Sequence, residues 1–141
     1  MSSDQQPPPI LRVACLDGFY MGDDAVLAAM NGPGLEAFTA ALTHAREREV
    51  ARLDCAGKIH TIRLQAGAAD VALQDDLDDH VEWRLDPAIV DEMIGKLTVM
   101  SGKGLCHNYI DIVTPADLLV VSLDEYLVPN PIVHTSPFGY F

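Results

Sequence analysis

Only two stretches of this chain carry apolar residues at helical spacing, and each begins beside a proline. Leu35, Phe38, Leu42 and Ala45 fall at i, i+3, i+7 and i+10 just after Pro33. Ile89, Val90, Met93, Ile94, Leu97 and Met100 form a second stripe just after Pro87. Proline costs nothing in a first helical turn, where its N–H would have no partner, so both helix starts are well placed. Asp86 adds an N-cap to the second. The remaining apolar stretches are short and alternate or run continuously, which is the signature of strands.

Those strands can be placed from their neighbours. Leu11, Val13 and Cys15 alternate with Arg12 and Ala14, and Asp17-Gly18 follows as a hairpin signal. Cys15 and Cys55 sit at apolar alternation positions and read as small core residues. Ala25–Met30 reads as a buried strand, closed by Asn31-Gly32-Pro33-Gly34 before a helix that runs to about Arg48. Val50–Cys55 and Lys58–Leu64 form a second hairpin through Ala56-Gly57, with Ala51, Leu53 and Cys55 on one face of the first strand and His60, Ile62 and Leu64 on one face of the second. Val71 and Leu73 mark a short strand, and Val81, Trp83 and Leu85 alternate with His80, Glu82 and Arg84 in the next. After the second helix, stopped by Gly102 or Gly104, come Cys106–Val113 and Leu118–Leu123 around a Thr114-Pro115-Ala116-Asp117 turn.

Strand, Pro-started helix, strand, strand thus occurs over 25–64 and again over 80–123. An ancient duplication and a common way of covering one sheet face both produce that order. The fold expected is a single α+β domain over residues 10–126. It would be a mostly antiparallel sheet of six to eight strands with two helices on one face and a βαββ pseudo-repeat. Its core would include Phe38, Leu42, Leu53, Ile62, Trp83, Ile94, Leu97, Ile110 and Val120. Residues 1–9 read as a disordered polar tail. Residues 127–141 read as a Pro/aromatic tail packed on the domain or on a partner, because exposed aromatics are a cost unless covered. A chain of 141 residues can bury about two-thirds of its unfolded surface without staples.

Charge separates the halves more sharply than composition does. Residues 1–68 hold six Lys/Arg and eight Asp/Glu, residues 69–141 three and thirteen, so the second half carries −10 of the net −12. The densest part is Asp75, Asp76, Asp78, Asp79 and Glu82, with no base between Arg63 and Arg84. Such a surface repels nucleic acid and anionic membrane and attracts basic protein over roughly a Debye length. No apolar run approaches the roughly 18 residues of a membrane helix, and the N-terminus lacks the pattern of a signal peptide. Three widely spaced cysteines argue for reduced thiols, hence a cytoplasmic protein.

Two functional classes follow. The first is a small acidic binding protein that docks a basic protein partner through Asp75, Asp76, Asp78, Asp79 and Glu82. In size, charge and lack of a catalytic motif it is similar in type to bacterial immunity proteins that block nuclease toxins, and no residues carry over from them. The second is an enzyme or metal-binding protein using a polar sheet face of His80, Glu82, Arg84, His107, Tyr109 and Asp111, on the condition that their strands are neighbours. Motifs favour the first class. No paired His or Cys spacing, phosphate loop or nucleophile elbow is present, so no catalytic residue, metal or cofactor is expected. A homodimer would form through an edge strand or the C-terminal tail.

Overall fold

A computed structural model describes residues 7–20, 23–55, 57–73 and 80–125. The aspartates of the acidic run and the tail 127–141 lie outside these residues. In chain order the elements are β1 (Leu11–Tyr20), β2 (Asp23–Met30), α1 (Gly32–Arg48), β3 (Val50–Cys55), β4 (Lys58–Leu64), β5 (Ala69–Leu73), β6 (His80–Leu85), α2 (Pro87–Met100), β7 (Cys106–Asp111) and β8 (Leu118–Leu123). The α+β class, both helices and the strands agree with expectation. The single sheet does not. The strands form two mixed four-stranded sheets, ordered β1-β2-β8-β7 and β3-β4-β6-β5.

The reason lies in where each helix delivers the chain. α1 leaves β2 in one sheet and delivers β3 to the other, and α2 makes the reverse crossing from β6 to β7. Each sheet therefore takes one strand pair from each half of the chain. The pairs β1–β2, β3–β4, β5–β6 and β7–β8 are antiparallel, while the central ladders β2–β8 and β4–β6, which join the halves, are parallel. Hydrogen bonds from the Val71 N–H to the Thr114 carbonyl (3.0 Å) and from the Val113 N–H to the Ala69 carbonyl (2.8 Å) tie the β5 edge to the chain following β7.

Both helix starts are built the same way, around a capping side chain that also holds the chain entering the neighbouring hairpin. Asn31 Oδ1 accepts from the Gly34 N–H (2.8 Å) and the Ile10 N–H (2.9 Å), and its Nδ2 donates to the Pro8 carbonyl (2.9 Å). Asp86 accepts from the Ala88 N–H and the Gly67 N–H, each at 2.8 Å. Those two backbone donors, Gly67 first, hold the Asp86 carboxyl below its ordinary pKa. The first junction also requires glycine, since a Cβ at position 34 would run into the Ile10 carbonyl oxygen. The end of the Pro run is thereby bonded to the domain.

One main core lies between the sheets and helices. Phe38 and Leu42 of α1, Leu97 of α2, Ile62, Trp83 and Ile110 are buried in it, with Leu53 and Ile94 packed at its margin. Phe38 and Trp83 meet with ring centroids 5.0 Å apart. Fully burying a side chain of this kind contributes about 3 kcal/mol. Val120 is buried as expected but belongs to a separate cluster with Ala25, Leu27 and Ala29, on the opposite face of its sheet. Two other local readings are corrected. Asp17-Gly18 is not the turn: β1 continues to Tyr20, and Gly18, at φ 63°, stands where the ladder register shifts between Leu16 and Tyr20. A glycine at positive φ serves a bulge as readily as a turn. Cys15 is exposed, whereas Cys55 is buried.

Candidate functional site: the polar face of the β3-β4-β6-β5 sheet

Strand alternation divides β6 cleanly. Val81, Trp83 and Leu85 enter the core, leaving His80, Glu82 and Arg84 half-buried on the outer face. The parallel register with β4 puts Ile59, Thr61 and Arg63 beside them, and the antiparallel register with β5 puts Asp70 opposite Arg84. The result is a ladder of matched polar pairs. Arg63 Nε donates to Glu82 at 3.1 Å, Thr61 Oγ1 and His80 Nε2 lie 2.9 Å apart, and Arg84 stands 3.8 Å from Asp70. Asp70 also accepts from the Thr114 hydroxyl at 2.7 Å. On β3, Arg52 donates to Asp54 at 2.9 Å, a bond that holds the Asp54 carboxyl below its ordinary pKa.

Beneath this face lies one buried polar group that the apolar pattern conceals. His60 sits on the inner side of β4, 1 % exposed, and its Nδ1 accepts from the Trp83 indole N–H at 3.2 Å. That bond requires the proton on Nε2, which has no partner among the described residues. Burial first, then the nearby His80 and Lys58, push the His60 pKa down to about 4. His60 is therefore neutral in the fold and acts as a core residue.

The residues singled out from sequence do not all meet. His107, Tyr109 and Asp111 are on β7, in the other sheet from His80, Glu82 and Arg84. The neighbouring strands that the enzyme or metal reading required are therefore not formed. His107 instead pairs with Glu125 (3.1 Å from Nδ1) and stacks edge-on with Tyr109. Among the described residues no group of three or more His, Cys, Asp and Glu is placed to hold a metal ion. Cys106 points inward toward the Met100 carbonyl, away from His107, and burial raises its thiol pKa. Glu82 is on the face as expected, already paired with Arg63. Asp75, Asp76, Asp78 and Asp79 lie outside the described residues, within the connection from β5 to β6.

Sequence reasoning missed Thr61, Arg63 and Asp70 as members of this face. Alternation in β4 already pointed Thr61 and Arg63 outward; what was missing was the β4–β6 neighbour relation. Arranged as they are, these groups form a surface of alternating sign, and the connection from β5 to β6 beside it in sequence is strongly acidic. No helix among the described residues is long and apolar enough to cross a membrane. The chain matches no family model, no curated protein and no solved structure.

Proposed function

We propose that this chain is an acidic binding protein that docks a basic protein surface through Asp75, Asp76, Asp78 and Asp79, with Glu82 at the rim. The observation that carries this reading is the contrast between the connection and the face beside it. On the face, Arg52, Arg63 and Arg84 each stand by a carboxylate. The connection places four aspartates in five positions. Lys58 opens β4 beside the start of β6, so one base adjoins the segment, and four carboxylates against one lysine leave the excess negative. Like charges crowded in this way lower stability, a cost that a Lys/Arg surface on a partner would offset.

Affinity isolation from the native cells tests this, with the intact chain compared against a variant carrying Asp→Asn at 75, 76, 78 and 79. The expected outcome is a basic protein held by the intact chain that associates more slowly with the variant, the difference shrinking as salt rises. Equal association rates at low salt would reduce the run to a solvated turn. We further read the two ββαββ halves as a repeat. Corresponding registers support that reading: Met30 pairs with Leu11 and Leu123, as Leu85 pairs with Ala69 and Leu64.

A further inference from the structure

Every residue of β3 pairs with β4, and the phase of that ladder decides which way its backbone points. The bond from the Leu64 N–H to the Glu49 carbonyl (2.8 Å) makes 49 and 64 a hydrogen-bonded pair, so Ala51, Leu53 and Cys55 direct their backbone groups at β4. Val50, Arg52 and Asp54 direct theirs outward, at the edge of the β3-β4-β6-β5 sheet. The opposite edge, β5, is bonded to the chain at Val113 and Thr114. Among the described residues nothing pairs with the β3 edge. A row of unpaired N–H and C=O groups is a template for another strand.

Charge on an edge strand ordinarily blocks such pairing by repulsion between like charges. On β3 the charges do the reverse. Arg52 and Asp54 flank Leu53 on the outer face, with side chains 64 % and 65 % exposed. Consider a second copy paired antiparallel about a two-fold axis at Leu53. Arg52 then stands opposite the second copy's Asp54, and Asp54 opposite the second copy's Arg52. On the inner face Leu53 meets its own counterpart, and Ala51 meets the second copy's Cys55. The outward backbone groups of Arg52 and Asp54 fall in hydrogen-bonded pairs, as an antiparallel ladder requires. Sliding by two residues sets Arg52 against Arg52 or Asp54 against Asp54, so one register alone matches the charges. The strand is its own complement, which is the condition for an isologous, closed dimer.

We infer that β3 is a dimerisation edge: two copies pair β3 with β3, antiparallel about Leu53, and so join their β3-β4-β6-β5 sheets into one. Six residues a side make a small contact, and each copy carries a net charge of −12. The dimer is therefore a weak one that forms where salt screens the repulsion between copies. β5, which leads into the acidic connection, lies at the other edge and stays clear of the join. The pairing is independent of the acidic docking reading.

Sedimentation equilibrium at physiological salt, over a series of protein concentrations, tests this with charge variants. Arg52→Asp and Asp54→Arg each place like charges opposite one another and should weaken dimerisation about tenfold, and the double exchange should restore it. Net charge alone predicts otherwise, since Arg52→Asp makes each copy more negative and Asp54→Arg less so. Stronger association of the Asp54→Arg chain would therefore overturn the inference. A mixed-label NMR sample of the intact chain needs no variant to fold: the expected result is an Hα–Hα NOE from Leu53 of one copy to Leu53 of the other. A monomer throughout the series, a dimer whose intermolecular NOEs lie elsewhere, or a segment of the same chain paired with β3 would each contradict it.

Discussion

The two sheets share strand connectivity and register, and they differ in what they show on the side away from the helices. One has the closed apolar strip Ala25, Leu27, Ala29 and Val120 on its two central strands, flanked by His107, Tyr109 and Asp111 of β7; the other presents Thr61, Arg63, Glu82, Arg84 and Asp70. The inner faces and the two helix caps fix the register of each sheet. Outer-face chemistry is then free to diverge, because alternation sends it to the opposite side. The same contrast runs through the caps. Asn31 bonds three backbone groups and is 7 % exposed, whereas Asp86 bonds two at a more open site.

The largest expected effect is at the first cap. Gly34→Ala forces a Cβ against the Ile10 carbonyl oxygen, a backbone atom that cannot swing aside. A loss of about 3 kcal/mol or more by urea unfolding is expected, at the upper end of overpacking. Gly95→Ala, in the middle of α2 with open space at its Cβ, should instead be neutral or stabilise by up to about 1 kcal/mol. Comparable losses at both positions would contradict the close approach at Ile10.

Next comes the buried histidine, which has no counterpart in the other sheet. Leu64 and Leu123 occupy matching ladder positions, so His60 corresponds to Leu119. Its folded pKa of about 4 lies below the ordinary 6.5, so the unfolded chain binds the extra proton first. Stability from this group is complete above about pH 6.5, falls as pH drops toward 4, and changes no further below it, a total of about 3 kcal/mol. Urea midpoints across that window check it. His60→Leu should flatten the slope whatever it does to absolute stability; an unchanged slope would assign the acid sensitivity elsewhere.

Smallest is the exchange of cap chemistry. Asn31→Asp keeps the acceptor but loses the donor to the Pro8 carbonyl and buries a carboxylate, costing about 2 kcal/mol. Asp86→Asn keeps one of two acceptors and should cost about 1 kcal/mol. If the order were reversed, Asn31 would not be the tighter junction.

Local structure was readable wherever a side chain acts on its own neighbours. Pro33, Pro87 and Asp86 marked helix starts, and alternation gave the inner faces of β3, β4 and β6 correctly. Strand partners across the halves were not readable, since Val26 meets Leu119 through a pairing that no local pattern encodes. A clue existed: Ala25–Met30 and Leu118–Leu123 are apolar with little alternation, as strands closed on both faces and paired in parallel tend to be. The same gap hid the polar face, whose members come from three strands. Gly18 misled because a bulge and a turn make the same demand on φ.

The central claim is that each sheet is half of one end of the chain and half of the other, joined through β2–β8 and β4–β6. Neither half then owns a complete sheet, and neither can unfold while the other stays folded. Scanning calorimetry of the full chain tests this most directly. A single transition, with calorimetric and van't Hoff enthalpies equal, is the predicted result. Two separable transitions, each assignable to one half, would contradict it.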